Sequence, residues 1–163
     1  NGTLDELNAH LGLIRSYLPL EDPRHSFIGQ VQMQIMQAMS LVATRSERRA
    51  ENPNNFDLAW LSALEEETAR LMSELSENGF FILPGGTPLS AQMQLARTVA
   101  RRAERRLWTL DREDPLPEGL IPWVNRMSDW LFVLAKWEMQ QQNWPEERWQ
   151  AFSYKRKKKP AHD

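Results

Sequence analysis

Apolar residues recur along this chain at three- and four-residue intervals, the spacing of one face of a helix. Leu4, Leu7, Leu11, Ile14 and Leu18 form the first such stripe, which runs until Pro19. Thr3 and Glu6 stand at capping-box spacing where it begins, which predicts reciprocal capping of the first turn. Asp5 lies well off the stripe, where an acidic first-turn residue is favoured by the helix dipole. After the turn between Pro19 and Pro23, Ile28, Val31, Ile35, Met39 and Val42 predict a second helix over about residues 26–48. Asn52, Pro53, Asn54 and Asn55 make a turn cluster, and Asp57 or Asn55 then caps a third helix over about residues 56–75. Its stripe is Leu58, Leu61, Leu64, Thr68 and Leu71, and Asn78-Gly79 is expected to stop it.

Pro84-Gly85-Gly86 ends the segment before it, since proline lacks an N–H and glycine admits positive φ. Thr87 or Ser90 is then placed to cap a fourth helix that runs to about Leu110. At about 100° per residue, Ala96, Val99, Ala103, Leu107 and Leu110 fall on one side of that helix, and Arg97, Arg101 and Glu104 on the roughly opposite side. A fifth helix is expected over about residues 119–142, with Trp123, Trp130, Trp137 and Trp144 recurring every seven residues. That spacing reads as a heptad-like packing seam rather than a ligand platform. Helical periodicity throughout and short connections predict an all-α fold, an antiparallel five-helix bundle. A single domain over residues 1–150 and a basic, solvated tail over residues 151–163 complete this reading.

Charge sharpens it. The net charge of -2 argues against a protein built mainly to hold polyanions. Lysine occurs only at Lys136 and within the tail at Lys155, Lys157, Lys158 and Lys159, so the body of the chain relies on arginine, whose planar fork suits phosphate and carboxylate. With no cysteine there are no disulfides, thiolate metal sites or cysteine nucleophiles. His10, His25 and His162 have no metal-ligand spacing and suggest no Ser-His-Asp constellation, so no metal site is expected. No apolar run approaches the roughly 20 residues of a membrane span, and no signal peptide is expected. A cytoplasmic protein that contacts neither membrane nor nucleic acid is expected.

Four blocks carry a resemblance. They are Gly2-Thr3-Leu4-Asp5-Glu6-Leu7-Asn8, the run from Phe81 to Gly86, the pattern from Ala91 to Arg106 with Arg97, Arg101, Arg102, Glu104, Arg105 and Arg106, and the stretch from Val124 to Ala135. Together, and in this order, they resemble the signature blocks of the PduO-type ATP:cob(I)alamin adenosyltransferases. The resemblance implies transfer of the 5′-deoxyadenosyl group of ATP, bound with Mg²⁺, to a cobalamin substrate, giving adenosylcobalamin and triphosphate. Such a reaction needs no protein nucleophile, because the reduced cobalt is itself one; position, exclusion of water and positive charge are what the protein supplies.

By the same resemblance Arg101 contacts the nucleotide phosphates, and Arg97 pairs with Asp5 of a neighbouring subunit in a homotrimer with sites between subunits. Glu104 and Asn125 match nucleotide-site positions, and Phe81 matches the phenylalanine under the corrin ring. Two departures accompany this. Gln94 stands where the family pattern has histidine, and the family's phosphate-binding segment, which precedes the first block, is expected to be missing because the chain opens directly on that block. A reductase or a cobalamin-dependent enzyme is an expected partner.

Other readings exist for the same residues. On periodicity alone Arg101 and Arg102 form a solvated basic face with Glu104 as an intrahelical partner, worth about 0.3 kcal/mol. A catalytically silent homologue acting as a cobalamin carrier or regulatory protein fits the blocks too, and a helical nucleic-acid binder would use Arg101, Arg102, Arg105, Arg106 and the tail.

Overall fold

The structure, a computed structural model, describes residues 1–76 and 82–148. Five α-helices account for most of them: α1 (Gly2–Ser16), α2 (Pro23–Ala43), α3 (Ala59–Glu74), α4 (Pro88–Asp111) and α5 (Leu120–Gln141). A short 3-10 helix, Ser46–Glu51, follows α2. Helix α1 packs between α2 and α4, and α5 packs between α4 and α3. The ring of helices closes where Phe27 of α2 meets Trp130 of α5 edge-on, with centroids 5.5 Å apart. The resulting all-α bundle is the architecture that the helical spacing predicts, and no described helix is long and apolar enough to cross a membrane.

The core is the sum of the predicted stripes. Leu4, Leu7, Leu11 and Ile14 of α1 meet Ala96, Val99, Ala103 and Leu107 of α4, all buried in one continuous cluster. The small alanines of α4 let its neighbours approach closely. Trp123 and Trp130 are buried, whereas Trp137 sits at the edge and Trp144 is 51% exposed, beyond the end of α5. The seven-residue tryptophan seam therefore ends with the helix.

Several local expectations need correction. Asn1, not Thr3, occupies the N-cap of α1, and no side chain caps that end. Thr3 is buried in the first turn, where its Oγ1 accepts a hydrogen bond from Arg106 Nη1 at 2.5 Å, and Glu6 pairs with Arg102. Both members of the supposed capping box are thus used to dock α4. Helix α2 stops at Ala43 rather than near residue 48, because Asn52 folds back to bond Ser40 and Thr44 Oγ1. Helix α3 starts at Ala59, three residues after Phe56, which instead packs against Trp60 and Trp123. It ends at Glu74, ahead of Asn78-Gly79, which lie outside the described residues. The expected cap by Thr87 is present: it accepts from Ser90 N at 3.0 Å, with Pro88 at the first helical position.

At the far end of the bundle Arg24, at the start of α2, holds Asp22 and the buried Glu138 of α5, and its guanidinium lies 4.9 Å from the centroid of the Trp137 ring. Burial alone would lower the Arg24 pKa, but the hydrogen bonds it donates to Asp22 and Glu138 outweigh that and raise it. This clasp fixes the end of α5 against the N-terminus of α2.

Candidate active site

The arginine block of α4 splits into two sets according to which neighbour each residue faces. Arg102 pairs with Glu6, and Arg106 donates to Thr3, so these two serve the α1–α4 contact. Arg101 and Arg105 are exposed and make no ion pair among the described residues. Glu104 is half-buried, and neither Arg101 nor Arg102 is bonded to it among the described residues, so the intrahelical partnership expected of a plain basic face is not formed.

Arg97, one turn before Arg101, is half-buried and donates from Nε to Gln94 Oε1 at 2.7 Å. Burial first, and the charge of Arg101 second, push its pKa below the ordinary arginine value. Arg97 is therefore a cation held in place by a neutral amide, with no carboxylate partner among the described residues. Gln94 itself is only 4% exposed. Its role is to orient Arg97, which the sequence registered only as a departure from a pattern; its i, i+3 spacing from Arg97 was the available signal.

Helix phase places these groups together. Arg97, Arg101, Glu104 and Trp108 form a stripe on the side of α4 away from α1. Helix α5 packs on that side, its opposite edge being taken by α3 through Arg126–Glu65 and Trp137–Glu74. The free edge of α5 carries Asn125 and, two turns on, Phe132, which is 39% exposed. By helix phase both stripes face outward beside the α4–α5 contact, the first with two cations, a carboxylate and Trp108, the second with an amide and Phe132. Phe132 and Trp108, 49% exposed, were not singled out from sequence, although their spacing from Asn125 and Glu104 was readable there.

Asp5 is exposed in the first turn of α1 and has no ion pair among the described residues. It faces outward together with Ala9 and Ser16, on a face that α4 of the same chain does not cover. The structure thus sets Arg97, Arg101 and Glu104 on one face of α4, Asn125 on the edge of α5 that α3 leaves open, and Asp5 on α1. Phe81 lies outside the described residues, as does the tail. Downstream of Phe81, Ile82 forms an antiparallel bridge with Arg148, and Ser90 Oγ donates to Gly85 O at 2.9 Å, tying the loop to the first turn of α4.

Comparison with known proteins bears on the family and the fold. A family model described as cobalamin adenosyltransferase matches residues 1–138. The corrinoid adenosyltransferase PduO of Citrobacter freundii is 36% identical over 138 residues, covering 84% of this chain but only 41% of that protein. The PduO protein of Salmonella typhimurium is also 36% identical, with 40% of its length covered, so this chain spans less than half of either relative. The corrinoid adenosyltransferase of Mycobacterium leprae is 32% identical over 138 residues, 81% of this chain and 72% of its own. Among solved structures, a variant of the PduO-type ATP:corrinoid adenosyltransferase from Lactobacillus reuteri, complexed with cobalamin and ATP, superimposes with a TM-score of 0.85 at 26% identity, covering 92% of this chain and 83% of that one. With most of its length matched by the family model and by these relatives, the chain belongs to the cobalamin adenosyltransferase family.

Proposed function

We propose that this chain transfers the 5′-deoxyadenosyl group of ATP to cob(I)alamin, with the outward faces beside the α4–α5 contact holding the nucleotide. The observation that carries the reading is the pair of cations Arg97 and Arg101, presented one turn apart without a carboxylate partner among the described residues. Family membership and neighbours solved with cobalamin and ATP support the choice of substrates. In the reaction a cobalt–carbon bond forms at the 5′ carbon, the carbon–oxygen bond breaks, and the electron pair leaves on a triphosphate oxygen. Arg101 is free to place its fork on that oxygen or its neighbours as charge develops. Glu104 and Asn125, on those faces, are assigned the hydrogen bonds of the nucleoside, and ATP brings its Mg²⁺ as part of the substrate. Phe81 is assigned the face of the corrin ring on the strength of its place in the motif, and Phe132 adds an exposed apolar surface to the edge of α5 that carries Asn125.

The reading also assigns a homotrimer. Asp5 and Arg97 sit on separate faces of one chain, so a contact between them is heterologous, and a heterologous contact that closes makes a ring. The domain is taken to span residues 1–150, with residues 151–163 a tail, and the protein to work in the cytoplasm beside a reductase or a cobalamin-dependent enzyme. The test is direct: cobalamin reduced to cob(I), ATP and Mg²⁺ are mixed with the protein, and adenosylcobalamin is followed by absorbance. Catalysed formation supports the enzyme; tight cobalamin binding with no product would instead identify a silent carrier. Sedimentation giving a stable monomer at micromolar concentration would remove the trimer.

A further inference from the structure

Lys136 is the only lysine outside the tail, and the site described above does not use it. It stands near the end of α5, where its Nζ lies 3.5 Å from Glu146 Oε1, the two side chains being only 12% and 15% exposed. Glu146 belongs to a short strap that reverses direction after α5. The reversal is made by Asn143 in the left-handed region, at φ 51, and by Trp144 N, which donates to Met139 O at 2.8 Å. The strap then runs beside the loop that precedes α4: Leu83 N donates to Glu147 O at 2.8 Å, and Ile82 bridges Arg148.

One turn from Lys136, the buried Met139 reaches the same loop directly. Gly86 has φ +88, and a Cβ built there would lie 2.7 Å from Met139 Sδ and 2.8 Å from Cε. Met139 therefore occupies the space that glycine leaves, and a larger residue at position 86 meets both a steric and a backbone obstacle. Neighbouring Glu138 is fixed by Arg24, so the platform on which Met139 and Lys136 stand is itself anchored.

We propose that Lys136 and Met139 are positioning residues: together they latch the 82–86 loop to the end of α5, Met139 by contact with Gly86 and Lys136 through Glu146 and the strap. The loop enters α4 through the Thr87 cap, so the latch sets where the corrinoid side of the site stands relative to the nucleotide side. This last step rests on the proposed function; the latch itself does not. A cleft lined by Leu83, Pro84, Gly86, Met139 and Trp144 lies between loop and strap and opens if the latch fails.

The test uses Lys136→Met, with Lys136→Arg as the conservative variant, in the full chain. Hydrogen exchange at the Leu83 amide reads the latch without reference to activity. Exchange roughly fivefold faster in Lys136→Met, with amides of the α4 core unchanged, is expected for local opening, and Lys136→Arg should restore slow exchange. In turnover, Lys136→Met should raise KM for the corrinoid severalfold and leave KM for ATP in place. Unchanged exchange at Leu83 overturns the latch, and so does a parallel rise of both KM values, which would mark a general loss of structure. If the wild-type protein forms no adenosylcobalamin, the proposed function fails and the Leu83 exchange alone decides the latch. Should Lys136→Met not fold, Glu146→Gln removes the charge of the same pair from the strap side and must give the same exchange result for the proposal to stand.

Discussion

Replacing Arg24 with methionine keeps most of the side-chain length, removes the charge and strands Glu138. In the wild type Arg24 Nη1 donates to Glu138 Oε2 at 2.5 Å, while Nε and Nη2 hold Asp22 at 3.0 and 2.6 Å. The Glu138 side chain is 5% exposed, and its other hydrogen bond comes from Gln142 Nε2 at 3.3 Å. Breaking one side of such a buried pair costs about 3–5 kcal/mol, because the remaining carboxylate must stay ionised away from water or take up a proton. Glu138→Gln should be milder, about 1–2 kcal/mol, since an acceptor remains and Arg24 keeps Asp22. Urea denaturation followed by circular dichroism measures both. Thermal melting should show a loss of roughly 10 °C for Arg24→Met, at about 2–4 °C per kcal/mol in a chain of this size. The double variant Arg24→Met/Glu138→Gln leaves no stranded carboxylate on α5 and should be less destabilised than the sum of the two single changes by about 1–3 kcal/mol. Strict additivity, or an Arg24→Met variant no weaker than Glu138→Gln, would refute the coupling of α2 to α5 through this pair.

Three further outcomes follow from local geometry. Thr87→Ala removes the acceptor for Ser90 N and should cost about 1 kcal/mol in urea denaturation, with Thr87→Ser close to neutral. Gly119 has φ +83, and a Cβ there would lie 2.5 Å from Leu58 Cδ2, so Gly119→Ala should lower stability by about 1–3 kcal/mol; an unchanged midpoint would count against the tight approach of residues 56–58 to the start of α5. The hydrogen bond from Arg24 holds the Asp22 carboxyl below its ordinary pKa, against a smaller opposing effect of burial. The unfolded chain therefore binds more protons over that interval, so the Asp22 contribution is full above about pH 4 and is lost as pH falls through the folded value. Melting temperature between about pH 5 and pH 2 should fall less steeply in Arg24→Met than in the wild type.

Helix positions were legible because the core is built from side chains at local spacing. Leu4, Leu7, Leu11 and Ile14, or Ala96, Val99 and Ala103, announce their face without knowledge of what they pack against. Side chains whose partners are distant in the chain were not legible in that way. Thr3 and Glu6 have the spacing of a cap, and only the approach of α4 turns them into acceptors for Arg106 and Arg102. That same approach decides which arginines of the block stay free, so Arg101 and Arg105 cannot be told from Arg102 and Arg106 by sequence spacing alone. The outward direction of Arg97, Arg101 and Glu104 was readable from helix phase, whereas the packing of α5, which carries Asn125 and Phe132, against α4 was not. Gln94 became intelligible only once its burial and its bond to Arg97 were seen.

The central claim is that the α4 edge carrying Arg97 and Arg101 meets the triphosphate, and one comparison tests it most directly. Adenosylcobalamin formation from ATP and cob(I)alamin is measured for wild type, Arg101→Lys and Arg105→Lys under reducing conditions. Lysine keeps the charge and loses the fork, so Arg101→Lys should cut turnover by about tenfold or more. Arg105 is exposed farther round the helix, and Arg105→Lys should stay within about twofold of wild type. Cobalamin binding, followed by its own absorbance, should survive both changes. Full activity in Arg101→Lys with activity lost in Arg105→Lys would contradict the account and move the nucleotide to another face of α4.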